Sequence, residues 1–256
     1  VVDSTLDLKA TATEIMLSIC QFGGQKCSKP VMIMLTEDVN LEEFKTHLLS
    51  QMLEMLSGNA LTENVDNSGL TKSYNGNEKL AQRAMNCLPG EEWLSGKIPV
   101  VQNDKSIKME TVSAAPSKMG DIGLRLIADP EKFDWSKLDE IFAPIATITQ
   151  IKGGVKEAVN IINGLKGALT GALFSQNRKS IMYARKHWKT GNLYFNRKCT
   201  AARGDQGFGD GVGVAHYGAH GIKTGTPEYL IMGRNIRRKR GKYSKYDKDS
   251  IQDLNE

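Results

Sequence analysis

The chain has 256 residues, 40% of them hydrophobic and 25% charged, with seven prolines and a formal charge of +5. That length supports one large or two small domains with a substantial core. The composition excludes a disordered chain, a collagen-like repeat and a disulfide scaffold, and no window approaches eighteen uninterrupted apolar residues, so no segment reads as a membrane span.

In chain order, residues 5–21 place Leu6, Ile15, Met16 and Ile19 at helical spacing and run into a Gly23-Gly24 turn. VMIMLTE (31–37) is a short continuous apolar run, suited to a buried strand of a mostly parallel sheet. A helix follows. Asn40 is its N-cap with Glu43 three residues on, Leu41, Phe44, Leu48, Met52 and Leu56 form its stripe, and Gly58 stops it. Residues 59–105 are polar and Asn/Gly-rich, with a weak helical signal around NEKLAQRAMNCL. SIKMETVSA and IGLRLIA read as strands, and IATITQI (145–151) as a buried strand leading through Gly153-Gly154 into a helix with Val155, Val159 and Ile162 on one face. GALTGALFS, QNRKSIMYARKHWKT and GNLYFNR then read as strand, helix and strand. The alternation predicts an α/β fold, a mostly parallel twisted sheet with flanking helices.

The four cysteines, Cys20, Cys27, Cys87 and Cys199, form no CxxC pair, which argues against a structural zinc site and for a reducing compartment. His216 and His220 are four apart but lie in a glycine-rich stretch with no helix to align them, so no metal site is expected. Charge is uneven. Arg234 to Lys248 holds eight basic residues and one acid, a local +7, so the remaining residues sum to −2. Within it, Arg237, Arg238, Lys239, Arg240 and Lys242 alternate with Tyr243 and Tyr246, a composition suited to phosphate contacts and base stacking on RNA. The chain begins at Val1 rather than Met, which fits either a removed targeting segment or further chain upstream.

Four segments together resemble the aldehyde dehydrogenase superfamily, most closely its pyrroline-5-carboxylate (glutamate-semialdehyde) dehydrogenase branch. They are FGGQKCS (22–28), DEIFAPI (139–145), GNLYFNRKCTAARGDQGFGD (191–210) and GIKTGTPEYLI (221–231), in the family's order and approximate spacing. The resemblance implies a domain like the family's catalytic domain over 1–232, with 233–256 as a basic C-terminal extension. It makes Cys27 the nucleophile, its own N–H part of an oxyanion hole, and Lys26 and Lys29 cations that could favour the thiolate. Glu140 would hold the nicotinamide ribose, Phe142 would lie by the nicotinamide ring, and Phe208 and Gly209 would shape the aldehyde pocket. Cys20, Cys87 and Cys199 read as structural. The family's dinucleotide-binding domain, its oxyanion amide and its general-base glutamate in an E-L-G-G-like motif lie N-terminal to the cysteine, and the 26 residues before Cys27 contain no such base motif and no Gly-rich phosphate turn. Gly207 and Asp210 also depart from the family's Q-P-F-G-G pattern.

Two expectations follow. In the first, the chain is an inactive, aldehyde dehydrogenase-like structural subunit of a larger assembly, such as a mitochondrial ribosome or respiratory complex. It then sits on the matrix side of mitochondria rather than in the cytoplasm, with other protein subunits as partners, RNA contacts through the tail, and no cofactor. On that reading Cys27 is a relic, no more reactive than Cys199. In the second, the chain is the catalytic half of a split NAD-dependent enzyme, and NAD binds only where a partner supplies the dinucleotide-binding domain. A redox-sensitive thiol site is a third possibility that no motif specifically favours.

Overall fold

The computed structural model describes residues 1–3, 7–56, 78–102, 104–117, 121–165, 169–200 and 235–238. The chain divides into two compact units. One comprises Asp7–Ile33 and Asn40–Gln150; the other comprises Val1–Leu6, Met34–Val39 and Ile151–Glu256.

In the first unit, helix α1 (Leu8–Cys20) starts where the Asp7 carboxylate accepts from the Ala10 N–H, and it buries Ala12, Ile15, Met16, Ile19 and Cys20. Helix α2 (Leu41–Leu56) packs against it. Asn40 Oδ1 accepts from the Glu43 N–H at 3.1 Å, the capping that the sequence predicts. Phe44, Leu48, Leu49, Met52 and Met55 turn inward. A short helix, α3 (Glu78–Met85), precedes the hairpin-like run of strands β2 (Glu91–Trp93), β3 (Ser95–Val101), β4 (Ile107–Ser113) and β5 (Gly123–Ile127). With β1 (Met32–Thr36) and β6 (Ile145–Ile151), strands β5 and β2 make a sheet of order β1-β6-β5-β2. β5 and β6 are parallel, with Leu126 opposite Ile148, while β2 adds antiparallel to β5. β3 and β4 form a separate antiparallel ribbon.

The sequence reading found β4, β5 and β6 but missed β2 and β3. Strand β3 contains Gly96 and Pro99, residues that break a strand pattern, and a two-stranded ribbon tolerates them because one edge needs no ladder bonds. Strand β2 begins at a glutamate whose side chain is fully buried, Glu91, paired with the equally buried Arg125 at 3.2 Å. Arg125 also donates to the Arg83 and Ala84 carbonyls and lies over the Trp93 ring directly across the strand pair. Burial lowers the Arg125 pKa from its ordinary value, opposed by the Glu91 charge.

In the second unit, helix α4 (Gly154–Gly164) and helix α5 (Arg178–His187) pack on strands β7 (Thr170–Leu173) and β8 (Asn192–Phe195), and β9 (Asn235–Arg238) pairs in parallel with β8. Val155, Val159, Leu173, Ile181, Ala184, Trp188, Leu193 and Phe195 form its core. The Trp188 ring fits there because Gly171 beneath it lacks a Cβ. Val2 bridges the ends of β1 and β7, pairing in parallel with Leu35 and with Phe174. The sequence reads residues 235–238 as part of a basic arm. Instead they form a third parallel strand, with Arg237 opposite Tyr194 and Arg238 opposite Phe195. Lys239, Arg240 and Lys242 lie outside the described residues.

Candidate active site

The candidate site is built on the turn between α1 and β1. After α1 the backbone turns left-handed for three successive residues: Phe22 at φ 56°, Gly23 at 61° and Gly24 at 72°. Glycine adopts this conformation at little steric cost; for phenylalanine it costs about 1–2 kcal/mol. Phe22 is therefore the strained member, and its ring stays in solvent at 59% exposure with the Lys26 ammonium 5.1 Å from the ring centroid.

Gly24 has a second reason to be glycine. A Cβ there would overlap the backbone of Ala143 and Pro144. The first glycine-rich motif and the DEIFAPI motif, more than a hundred residues apart in sequence, are thus in direct backbone contact. Five residues further on, the Lys29 ammonium is buried and donates to the Ile145 carbonyl at 2.7 Å and to the Pro30 carbonyl at 3.1 Å. Gly24 and Lys29 fasten both ends of one short arc to the start of β6, and Cys27 sits on that arc.

Within the arc, the Lys29 N–H closes a turn onto the Lys26 carbonyl at 2.9 Å, with Cys27 and Ser28 at its corners. Ser28 is buried and Cys27 is exposed. Among the described residues nothing accepts a hydrogen bond from the Cys27 N–H. A thiol on a fixed turn, beside an unused backbone donor, can attack a carbonyl carbon while that N–H meets the oxygen. The contrast with the other cysteines is sharp. Cys20 is buried, and its burial pushes the thiol up to about 12, against the opposing effect of Lys29. Cys199 is also buried, while Cys87 is half-buried with its pKa raised chiefly by burial. Cys27 is thus the exposed thiol of the four, while Cys199 is buried.

Glu140 and Phe142 are both exposed, on the segment that Gly24 touches. The Asp139 carboxylate accepts from the Glu140 N–H at 2.8 Å, which sets the local backbone. Ile141 and Ala143 point the other way, into a small core with Ala84 and Ile145. The alternation turns a carboxylate and a flat apolar ring outward together. Phe208 and Gly209 lie outside the described residues. Sequence reasoning singled out Cys27, Glu140 and Phe142 but missed Lys29 as the second fastening. A lysine between Ser28 and Pro30 gives no sign that it is buried; only its carbonyl partner, 116 residues away, shows it.

The fold and this arrangement define an α/β protein that presents an exposed thiol on a glycine turn anchored to a parallel strand. Residues 127–232 match the aldehyde dehydrogenase family. It is similar to 1-pyrroline-5-carboxylate dehydrogenases. It is 31% identical over 237 residues to the enzyme of that name from a Geobacillus species, covering 91% of this chain and 41% of the relative. It is 29% identical over 243 residues to the one from Anoxybacillus flavithermus, with the same shares. Among solved structures, a Thermus 1-pyrroline-5-carboxylate dehydrogenase with bound NAD matches with a TM-score of 0.53 at 26% identity, over 90% of this chain and 40% of that one. The chain thus spans about two fifths of the length of the relatives it matches.

Proposed function

We propose that this chain is the thiol-bearing portion of an NAD-dependent aldehyde dehydrogenase of the glutamate-semialdehyde type, and that Cys27 is its nucleophile. The single observation that carries this reading is the position of Cys27. It is exposed on an arc fastened at Gly24 and at Lys29 to the strand that follows Glu140 and Phe142. The names of the relatives support the choice of aldehyde.

The residues present suit a nicotinamide ribose. A carboxylate can accept from two sugar hydroxyls, and an exposed ring edge offers an apolar contact; Glu140 and Phe142 turn both outward from one segment. In the reaction, the Cys27 thiolate adds to the aldehyde carbon, forming a C–S bond while the carbonyl oxygen takes the electron pair as an oxyanion. The Cys27 N–H is placed to donate to that oxyanion. NAD held by Glu140 and Phe142 would supply the acceptor for the hydride that leaves this carbon. The resulting Cys27 thioester is cleaved by water, which yields the carboxylic acid and restores the thiol.

The other expectation, an inactive structural subunit of a mitochondrial assembly, gains less support. A purely structural role needs neither an exposed thiol nor a left-handed Phe22 to present it. A reconstitution test separates the two. The full chain is mixed with the segment of the Geobacillus relative that precedes its matching region, and NADH formation from glutamate semialdehyde is followed by absorbance. The expected result is turnover that Cys27→Ala abolishes. Absence of turnover, together with no aldehyde-derived mass on Cys27, overturns the proposal.

A further inference from the structure

Helix α5 carries charge of one sign. Between Gln176 and Thr190 the chain has five lysines and arginines together with His187, and no acid. A helix dipole favours cations in the last turn, which accounts for Arg185, Lys186 and His187. The first turn is where it disfavours them, yet Arg178 and Lys179 stand there, both exposed, with no acid in that turn. Helix stability therefore does not explain them. Lys179 and Lys186 also enter no ion pair among the described residues, whereas Lys45 of α2 is paired with Glu42 at 2.9 Å.

The same face carries an aromatic stack. Lys179, Tyr183 and His187 recur at four-residue spacing, with Met182 and Lys186 in the neighbouring row, so the five lie together on the helix surface. With Arg185 they line an open recess of about 620 Å³. The Tyr183 and His187 rings stack with centroids 4.4 Å apart and planes 29° apart. Lys156 of α4 lies over the Tyr183 ring, 5.7 Å from its centroid. Helix α4 also fixes the backbone at His187: Asn163 Nδ2 donates to the His187 carbonyl at 2.8 Å, and Asn163 Oδ1 accepts from the Lys189 N–H at 2.7 Å. Glu157, the acid of α4, accepts from Asn160 on its own helix at 3.4 Å. His187 is exposed, so its ring keeps one face on Tyr183 and turns the other to solvent. Met182 is 45% exposed beside it.

A ligand that uses all of these features is anionic along its length and carries flat rings. Lys179 and Lys186 are seven residues apart, roughly 10 Å along the helix axis, a span that a single phosphate group does not cover. An acidic peptide meets the cations but has no use for a fixed ring facing solvent. A nucleobase does, because every base has a π-face that stacks on aromatic side chains between cations. The bases are free to do so in a single strand, where they can be splayed out of the chain. We infer that the exposed face of helix α5 binds single-stranded nucleic acid, with a base stacked on the outer face of the His187 ring and neighbouring phosphates on Lys179 and Lys186. Stacking on Tyr183 orders the imidazole before the ligand arrives, which lowers the entropy lost on binding.

Fluorescence anisotropy of a short labelled oligouridine mixed with the full chain tests this. His187→Ala should weaken binding about tenfold, the loss of one stacked base, while His187→Phe, which keeps a flat ring, should stay within about twofold of wild type. Lys179→Gln and Lys186→Gln should each lower the slope of log affinity against log salt by about 0.7. Lys97→Gln and Lys108→Gln, equal charge changes on the β3–β4 ribbon, should leave that slope unaltered. All five side chains are exposed, so their variants keep the fold. Because Arg234 to Lys248 is itself cationic, the contact is located with iodouridine in the oligomer. Photocrosslinks read by peptide mass should fall on Tyr183 or His187. Crosslinks confined to residues 233–256, polyglutamate competing as well as unlabelled oligouridine, or His187→Ala binding as tightly as wild type each overturns the inference.

Discussion

The Lys29 ammonium lies 2.7 Å from the carbonyl oxygen of Ile145, joining the turn that carries Cys27 to the first residue of β6. Hydrogen bonds from a charged donor contribute about 1.5–3 kcal/mol, and a buried carbonyl left without its donor costs a similar amount. Lys29→Met is therefore expected to lower stability by about 2 kcal/mol, read as an earlier midpoint in urea unfolding. It should also loosen the arc, so that any NADH formation in the reconstituted system falls more than the folded fraction does. An unchanged midpoint would mean that the buried ammonium's desolvation cancels its hydrogen bonds.

Gly24 and Gly154 separate two effects that usually travel together. Both have positive φ, 72° and 64°, so an alanine at either suffers the left-handed penalty of about 1 kcal/mol. Only at Gly24 does the new methyl group meet backbone, that of Ala143 and Pro144; at Gly154 nothing lies within 4 Å. Gly24→Ala should cost at least about 2–3 kcal/mol, Gly154→Ala about 1 kcal/mol. Equal shifts in thermal unfolding would mean that the turn does not press on the Ala143 segment.

Thiol reactivity follows burial. At pH 8 a thiol whose pKa stands at about 12 is ionised to roughly one part in ten thousand, so Cys20 is silent. Native labelling with iodoacetamide, read by peptide mass, should modify Cys27 first and Cys87 more slowly, with Cys20 and Cys199 reacting only after unfolding. Labelling of Cys199 at the rate of Cys27 would contradict the buried position of Cys199.

Much of the fold was legible because it is periodic. The α2 stripe and its Asn40 cap, the apolar run of β6, and the strand–helix–strand pattern from β7 to β8 each carry a local signal that the three-dimensional structure repeats. What escaped was set by partners remote in sequence. Glu91 looks like a surface residue until Arg125 is placed beside it, and Lys29 until Ile145 is. Arg237 and Arg238 look like part of a solvated arm until β8 supplies a strand to pair with. The site divides in the same way. Cys27, Glu140 and Phe142 were found through motifs, but no local pattern indicated that Gly24 seats the first motif against the second.

The buried Arg125–Glu91 pair tests whether charge or hydrogen bonding holds β2 on the sheet. Glu91 also accepts from the Leu88 N–H at 2.8 Å and from the Thr147 hydroxyl at 2.9 Å. Arg125→Met leaves the Glu91 carboxylate buried without its cation and should cost about 3–5 kcal/mol. Adding Glu91→Gln removes the stranded charge while its amide oxygen still accepts from the Leu88 N–H and its NH2 group can donate to the Thr147 hydroxyl oxygen, so the double variant should recover a large part of that loss. A double variant no more stable than Arg125→Met alone would show that the guanidinium acts through the Arg83 and Ala84 carbonyls instead.

Glu37 caps helix α4 from the end of β1, its carboxylate accepting from the Gly154 N–H at 2.9 Å. That hydrogen bond is the main cause holding its pKa below the ordinary 4.5, with a smaller contribution from Gly153. A depressed carboxylate pKa stabilises the fold above the unfolded-state value, and the stabilisation is lost as pH falls through the folded value. The group is exposed, so solvent screening keeps the effect to a few tenths of a kcal/mol. Wild type should therefore exceed Glu37→Gln in urea midpoint at pH 7, and the difference should shrink below about pH 4 and vanish once the carboxyl is protonated. Because the Gln amide oxygen can still accept from Gly154, the pH-dependent part of the difference isolates the charge at the helix N-terminus. A gap that persisted unchanged at low pH would assign the effect to packing rather than to the ionised carboxylate.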